Sequence, residues 1–525
     1  MSTGRRVTAA GTEWTRDDLA TLATRGITPA EASRQLALLR DPPARLVIER
    51  PCAVGDGIER LDPGRRAELA ARHDPAAAAG RWMRFVPASG AATRMFGALL
   101  ASRAGGWATR AALEQAAAGG DADARSALET LLGIDRFAFR TALAAALAAR
   151  GDTLDRCRES GDARAVFDTL LDDSGLGLAS RPKGLLPFHH DGTRARTAFE
   201  EQLREAAALG GDARGISRTH FTVSQEHRGG FERTLGELRP WLETTLATRL
   251  ETGFSVQEPA TDTLALADDA TPFRTGGRLL LRPAGHGALI DNLARTGGDL
   301  VAIKNIDNVQ TESRRGPAIE WARVLTGRLL ELEEQVHALL ARLDDPADPA
   351  APDDALAFAA AGSFAPEGSV SGAEPNARAR ARRLLHRPMR VCGMVPNTGE
   401  PGGGPFWVRS PGGLTRQIVE SAELDPARPD QRDCFARGTH FNPVFLVCGL
   451  RDHRGRPYPL ADFVDPSAII LTRKNSGGRG LLALERPGLW NGAMARWLTV
   501  FVEIPVEVFT PVKGLNDLLR PEHQG

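Results

Sequence analysis

The sequence predicts an α/β protein built on a mainly parallel sheet with helices on both faces, and three observations carry that prediction. After Lys183, strand-like and helical segments alternate, with 219–224, 253–257, 279–282 and 300–304 reading as strands; such alternation is the pattern of parallel strands joined by crossover helices. Before it, the apolar run 82–86 leads through the small-residue loop Pro87-Ala-Ser-Gly-Ala-Ala-Thr-Arg94 into an apolar helix start at Met95. Strand, small-residue loop and helix together make a geometry suited to cradling an anion. The third observation is the segment 318–343, where Leu325, Leu329, Leu332, Val336, Leu339 and Leu343 recur at three- and four-residue spacing, the mark of an amphipathic helix.

Residues 14–80 read as short helices, opened by Thr15-Arg-Asp-Asp and Thr28-Pro-Ala-Glu, each a side-chain cap followed by good helix formers. They form an expected N-terminal helical cap, residues 1–80. A core follows at 81–343, interrupted at about 101–178 by an alanine-rich helical insertion whose Leu113, Leu128, Leu131, Leu132, Phe139, Leu143 and Leu147 are available for buried stripes. Residues 344–388 hold much Asp, Pro, Ala and Gly and little large apolar side chain, so a flexible linker is expected there. From 389 to 525 strands resume, including a long one at 500–509, and complete the core and the substrate pocket. The glycine-rich 398–407 reads as a mobile loop able to close over a substrate.

Composition narrows the function. The 525 residues carry 66 basic and 66 acidic side chains, so bulk charge gives no reason to expect nucleic acid or an anionic membrane as partner. Any phosphate binding must be local. The five cysteines are scattered and lack CxxC spacing, which argues against a zinc cluster or a disulfide framework and for a reduced cytoplasm. The first residues contain no apolar leader and no run is long enough to span a bilayer, so neither export nor membrane insertion is expected.

The stretch from Leu279 to Asn308 holds the strongest chemical signals. Its Pro283-Ala-Gly-His-Gly287 turn runs into a helix, and Gly285 and Gly287 would let backbone N–H groups approach an anionic ligand. Asp307 follows an apolar strand, where a carboxylate can hold Mg²⁺ together with substrate phosphates and water. The alternative for Asp307 is an Asx-turn or a helix cap. Arg94 would stand at a helix N-terminus and could clamp a polyphosphate, although small residues in such a loop often serve packing alone. Lys183, between Pro182 and an apolar run, reads as a flexible cation at a sheet edge and equally as a surface lysine. Lys513 follows the strand-like run 500–509. Histidines 189, 190, 220, 227, 286 and 440 lack the spacing of a helical zinc site and read as packing or hydrogen-bonding residues.

In their order, these segments resemble the nucleotide-sugar pyrophosphorylases of the UDP-glucose and UDP-N-acetylhexosamine branch. Gly90-Ala-Ala-Thr-Arg94 resembles that family's glycine-rich loop, Pro182-Lys-Gly-Leu-Leu-Pro187 its Pro-Lys-x-Leu-Leu-Pro element, and Phe221-Thr-Val-Ser224 its Met-Thr-Ser strand. Arg282-Pro-Ala-Gly-His-Gly287 resembles its Pro-Pro-Gly-His-Gly turn, Lys304-Asn-Ile-Asp-Asn308 its metal motif, and Pro511-Val-Lys-Gly-Leu-Asn-Asp-Leu518 its late lysine segment. The whole chain also resembles a bacterial family placed in the same fold group, the domain of unknown function 4301.

The resemblance implies a three-layer nucleotide-diphospho-sugar transferase (GT-A-like) fold. It also implies a Mg²⁺-dependent nucleotidyltransferase that joins a nucleoside triphosphate, UTP by analogy, to a sugar 1-phosphate and releases pyrophosphate. In that scheme Ser89, Gly90, Ala91 and Thr93 would line the nucleotide loop, and Gln257, Gly285, His286 and Gly287 would hold the base. Asp307 would bind the metal, while Arg94, Lys183 and Lys513 would serve as catalytic cations. Two alternatives share these motifs: a binding protein without turnover, and transfer to a non-sugar phosphate acceptor. The chain departs from the family pattern at Ser89 and Ala92, which replace glycines, and at Ala288, which replaces an acidic residue. It also has a long insertion between Arg94 and Lys183 and ends soon after Leu519, without the C-terminal β-helix of many relatives.

Overall fold

Helices and strands alternate through a computed structural model that describes residues 7–9, 12–364, 376–399, 402–410 and 413–525. The chain is mixed α/β and divides into two compact units. The first comprises Met1–His73, Val256–Ala302 and Val324–Pro505; the second comprises Asp74–Ser255, Ile303–Arg323 and Val506–Gly525. Each unit is thus assembled from three separated stretches of chain.

In the first unit, strand Met389–Pro396 runs antiparallel to Phe445–Gly449 and parallel to Leu498–Glu503, which in turn pairs in parallel with Gly57–Glu59. These strands are apolar on both faces, and Val391, Cys392, Leu446, Val447, Val500 and Phe501 are all buried, as a doubly covered sheet requires. A second sheet of the unit is wholly antiparallel, in the order Leu281–Arg282, Thr263–Ala267, Arg479–Glu485, Ile470–Ser476. Helices Arg16–Thr24 and Pro29–Arg40 close its face through Leu22, Leu36 and Leu39 packed with Leu264, Leu266 and Leu484. Both helices start where expected: Thr15 and Asp18 form a capping box, and Thr28 accepts a hydrogen bond from the Glu31 N–H with Pro29 at the first helical position.

In the second unit, Trp82–Pro87 and Ile216–Val223 run parallel, with Arg249–Val256 outside them. Helices Ala198–Ala208 and Arg228–Leu246 pack there through Phe199 and Phe231, whose rings meet those of Phe221 and Phe254. The insertion is helical as expected, with helices Gly97–Gly105 through Ala163–Leu171. Leu113, Phe139, Leu143 and Leu147 are buried, but Leu132 is 59% exposed. Its helix, Ala122–Leu132, turns Ala124, Ala127 and Thr130 inward instead.

Four expectations are corrected. Residues 279–282 do not form a strand of the parallel sheet: Arg278–Leu279 and Leu281–Arg282 are separate short strands in antiparallel pairings. The expected linker contains the helices Ala351–Ala361 and Ala377–Leu385. Alanine is the strongest helix former and needs little space, and Ala351, Ala355 and Ala359 are fully buried. Residues 365–375 of that segment lie outside the described residues. The strand expected over 500–509 stops at Glu503, because Pro505 cannot donate to a ladder, and a 3₁₀ turn follows at Val506–Val508. Finally, the end of the glycine-rich loop is ordered as strand Gly404–Ser410, paired on both sides; Glu400 and Pro401 lie outside the described residues. Among the described residues, no helix is long and apolar enough to cross a membrane.

Candidate active site

Four segments that are distant in sequence are stitched together within the second unit. After strand Trp82–Pro87, the loop carrying Ser89, Gly90, Ala91 and Thr93 bonds to the Arg181–Lys183 segment: Ala92 N–H donates to Arg181 O at 3.2 Å and Lys183 N–H to Gly90 O at 3.1 Å. Ala91 and Pro182 form an isolated β-bridge. The Ile306 N–H donates to Pro87 O, and Asn308 bridges to Pro511, so the Asp307 segment lies against both the loop's strand and the C-terminal stretch. Leu515 N–H closes the circle on Met95 O at 3.2 Å.

The side chains at this junction are equally specific. Lys183 Nζ donates to Asp307 Oδ2 at 2.8 Å and to the Val512 carbonyl at 2.7 Å, while the Val512 N–H donates to Asp307 O at 3.2 Å. Lys183 and Asp307 are only 16% and 19% exposed at their side chains. Lys183 is therefore not the flexible edge cation expected from its neighbours in sequence. It begins a 3₁₀ turn, Lys183–Leu185, and Gly184 is required there because a Cβ would stand 2.9 Å from the Phe231 ring. Lys513, next to Val512, is exposed at its side chain, and its N–H donates to Asp517 Oδ2. Arg94, Ser89, Gly90, Ala91 and Thr93 are exposed on the loop, while Ala92 is buried beneath it. The following helix, Gly97–Gly105, has no side-chain cap on its first N–H groups.

Beneath this surface lies a charged core that spacing and periodicity did not reveal. Glu205 takes Arg84 Nη1 at 2.9 Å and Lys304 Nζ at 2.7 Å, and all three side chains are almost fully buried. Burial alone would raise the Glu205 pKa, but Lys304 and Arg84 hold it below the usual carboxylate range. Burial pushes the Lys304 ammonium down, against the pull of Glu205. Gln202 Nε2 donates to Asn305 O and Gln310 Nε2 to Val508 O, so this core ties to the backbone just before Asp307 and to that of the C-terminal stretch. The advance signals were Lys304 and Arg84, each a charged residue inside an apolar strand. The helical insertion adds a brace: Thr130 donates to Asn516 Oδ1 at 2.6 Å, and Asn516 Nδ2 donates to Ser126 O at 2.8 Å.

The remaining predicted residues belong to the first unit. Gln257 Nε2 donates to Thr261 Oγ1 at 3.2 Å. At the 285–287 turn, Gly285 adopts a left-handed φ of 77°, and a Cβ on Gly287 would stand 2.2 Å from Pro487 O. Gly287 is thus needed for chain packing. His286 stacks on Trp490 with ring centroids 4.1 Å apart, and its Nδ1 accepts the Leu489 N–H at 2.9 Å. Burial lowers its pKa, with Glu420 and Glu485 opposing, and Nδ1, as the acceptor from Leu489, leaves the ring proton to Nε2.

A separate cleft of about 710 Å³ in the second unit is lined by His189, Arg196, Thr311 and His523 among others, and by none of Arg94, Lys183, Asp307 or Lys513. All five cysteines are buried thiols, and burial pushes Cys157 and Cys392 up to about 11. None is poised as a nucleophile.

The donor set at Asp307 can be tested against Mg²⁺. One carboxylate amid lysine and backbone donors does not make a closed all-protein cage, but it fits an ion that keeps water and shares a substrate's phosphates.

No curated protein matches the sequence. Among solved structures, the chain is similar to the uridine diphosphate N-acetylglucosamine pyrophosphorylase from Trypanosoma brucei in complex with inhibitor, with TM-score 0.48 and 14% identity over 96% of this chain and 78% of that chain. It is also similar to UDP-glucose phosphorylase from the same organism, with TM-score 0.45 and 13% identity over 97% and 80%. A third similar structure is UDP-glucose pyrophosphorylase from Leishmania major, with TM-score 0.43 and 13% identity over 96% and 78%. The domain of unknown function DUF4301 matches residues 15–524, nearly the full length, and the chain belongs to that family.

Proposed function

We propose that the protein is a Mg²⁺-dependent nucleotidyltransferase that joins a nucleoside triphosphate, UTP in the first instance, to a sugar 1-phosphate and releases pyrophosphate. The observation that carries this reading is the Lys183–Asp307 pair with its tie to Val512. It gathers a cation, a carboxylate and the residue before Lys513 from three stretches of chain, each beside the loop that leads to Arg94.

An ammonium has three N–H donors. Asp307 and Val512 occupy two of those on Lys183, which leaves one for a phosphate oxygen. Arg94 is exposed, with no ion pair among the described residues, and is suited to grip the polyphosphate beside the uncapped helix start. Asp307 would hold the Mg²⁺, which when bound neutralises developing charge on the phosphates. The sugar phosphate oxygen attacks the α-phosphorus in line, forming one P–O bond as the bond to the β-phosphate oxygen breaks and pyrophosphate departs. No general base is needed because a phosphate monoester is already ionised at neutral pH. Catalysis then rests on positioning and on charge supplied by Arg94, Lys183 and Lys513.

A second reading, nucleotide or sugar-phosphate binding without turnover, draws support from the same pair. Lys183 is held by two acceptors and could serve as a fixed clamp. Pyrophosphate release from UTP with a panel of sugar 1-phosphates separates the two. The transferase reading expects Mg²⁺-dependent release that falls by roughly 10² to 10³ on loss of one cation such as Lys183; tight UTP binding with no release across the panel supports the second.

A further inference from the structure

A second cluster of chemistry-bearing side chains lies in the first unit, outside everything used above. His386, Asp452 and His453 each present one ring nitrogen or carboxylate oxygen, and these atoms all lie within 4.8 Å of one another. His386 follows helix Ala377–Leu385, while Asp452 and His453 sit in the tight turn after strand Phe445–Gly449. That turn is rigid: Asp452 Oδ1 accepts the Arg454 and Arg456 N–H groups, and Arg451 bridges to Pro457.

His453 supplies an independent observation. Its side chain is 5% exposed, and Nε2 lies 2.7 Å from Asp344 Oδ2. A carboxylate there accepts the Nε2–H, which leaves Nδ1 as the nitrogen available to a ligand. That Nδ1 is buried and has no hydrogen-bond partner among the described residues. A buried acceptor without a donor is costly unless something else occupies it. A histidine held by a carboxylate through one nitrogen, with the other turned inward, is also the arrangement by which proteins orient metal ligands. Tyr458 adds a second orphan: it is 4% exposed, its hydroxyl is buried without a partner among the described residues, and its ring meets His386 edge-on at 5.2 Å.

We propose that His386, Asp452 and His453 form a site for one divalent transition metal of the zinc type, with Asp344 orienting His453. Two imidazoles and one carboxylate suit Zn²⁺, which takes N and O ligands in a four-coordinate shell. They do not suit Mg²⁺, which prefers oxygen. The fourth position is open to water or to the Tyr458 hydroxyl. The competing arrangement is the ion pair of Asp452 with Arg456, whose Nη2 lies 2.8 Å from Asp452 Oδ2. Arg456 is 62% exposed at its side chain and can swing into solvent when a metal takes that oxygen. The ion would pin the 450–458 turn to the end of helix Gly316–Asp344, a structural role separate from the proposed transfer chemistry.

The test uses the full chain, stripped with a chelator and titrated calorimetrically with ZnCl₂, with Co²⁺ as an optical probe. The proposal expects one equivalent of Zn²⁺, a higher unfolding temperature when loaded, and Co²⁺ d–d bands without the thiolate charge-transfer band that a cysteine site would give. His453→Gln and His386→Gln should each weaken binding at least tenfold, as ligand loss does. His386 is 34% exposed at its side chain, so its replacement reports on the metal even where His453→Gln perturbs the fold. Absence of stoichiometric Zn²⁺ binding, a thiolate band, or unchanged affinity in His386→Gln would overturn the proposal and leave a structural ion pair.

Discussion

Lys183 and Asp307, 124 residues apart, meet at 2.8 Å with both side chains largely withdrawn from water. The pair is a joint as well as a candidate site. Removing one partner leaves the other charge partly buried, so Lys183→Met should lower stability by roughly 1 to 3 kcal/mol. Lys183→Met/Asp307→Asn should cost less than the sum of the two single changes. Urea unfolding of the four proteins measures the coupling, and additive losses would show that the two side chains do not stabilise each other.

The buried charges below the site should matter more. Glu205→Gln strips the counter-charge from Arg84 and Lys304, and loss of one member of a buried ionic set costs about 3 to 5 kcal/mol. Thermal and denaturant unfolding should both report it.

A backbone contact gives a steric prediction. Gly287→Ala would place a Cβ 2.2 Å from Pro487 O, so it should destabilise by about 1 to 3 kcal/mol through overpacking. If stability is unchanged, the close approach of these two segments does not exist in solution.

Stability should also carry a pH signature from Glu423. Burial pushes this carboxyl up to about 8; the Glu420 N–H pulls it down and the Glu420 carboxylate pushes it further up. A folded-state pKa above the unfolded value of about 4.3 means the contribution is fully present below that pH and is lost as pH rises toward 8, at up to about 1.4 kcal/mol per pH unit. Glu423→Gln keeps an acceptor for the Glu420 N–H and Asn491 Nδ2, which lie 2.7 and 2.8 Å from Glu423 Oε2. The variant should flatten the dependence between about pH 5 and 8; an unchanged profile would place the titration elsewhere.

Local features were the most legible part of the sequence. The caps at Thr15 and Thr28, strand Trp82–Pro87 and the helix Gly316–Asp344 follow from hydrogen-bonding side chains and periodicity acting over a few residues. The order of motifs brought attention to Lys183 and Asp307 together, but not to the tie through the Val512 carbonyl, since a backbone acceptor leaves no mark in composition. Arg84 with Glu205, and His386 with Asp452 and His453, were illegible for a related reason: their partners arrive from distant segments with no fixed spacing. The expected linker failed differently. Its small alanines pack closely enough to be buried, as Ala355 and Ala359 are, without the large apolar side chains that periodicity detects.

The central claim is that Asp307 and its neighbours receive a metal-bound nucleotide, and calorimetric titration of UTP with and without Mg²⁺ tests it most directly. The account predicts that Mg²⁺ tightens UTP binding at least tenfold in the natural protein and that Asp307→Asn abolishes this gain, with Arg94→Ala weakening binding while leaving the unfolding temperature unchanged. Equal Mg²⁺ dependence in the natural protein and in Asp307→Asn would contradict it.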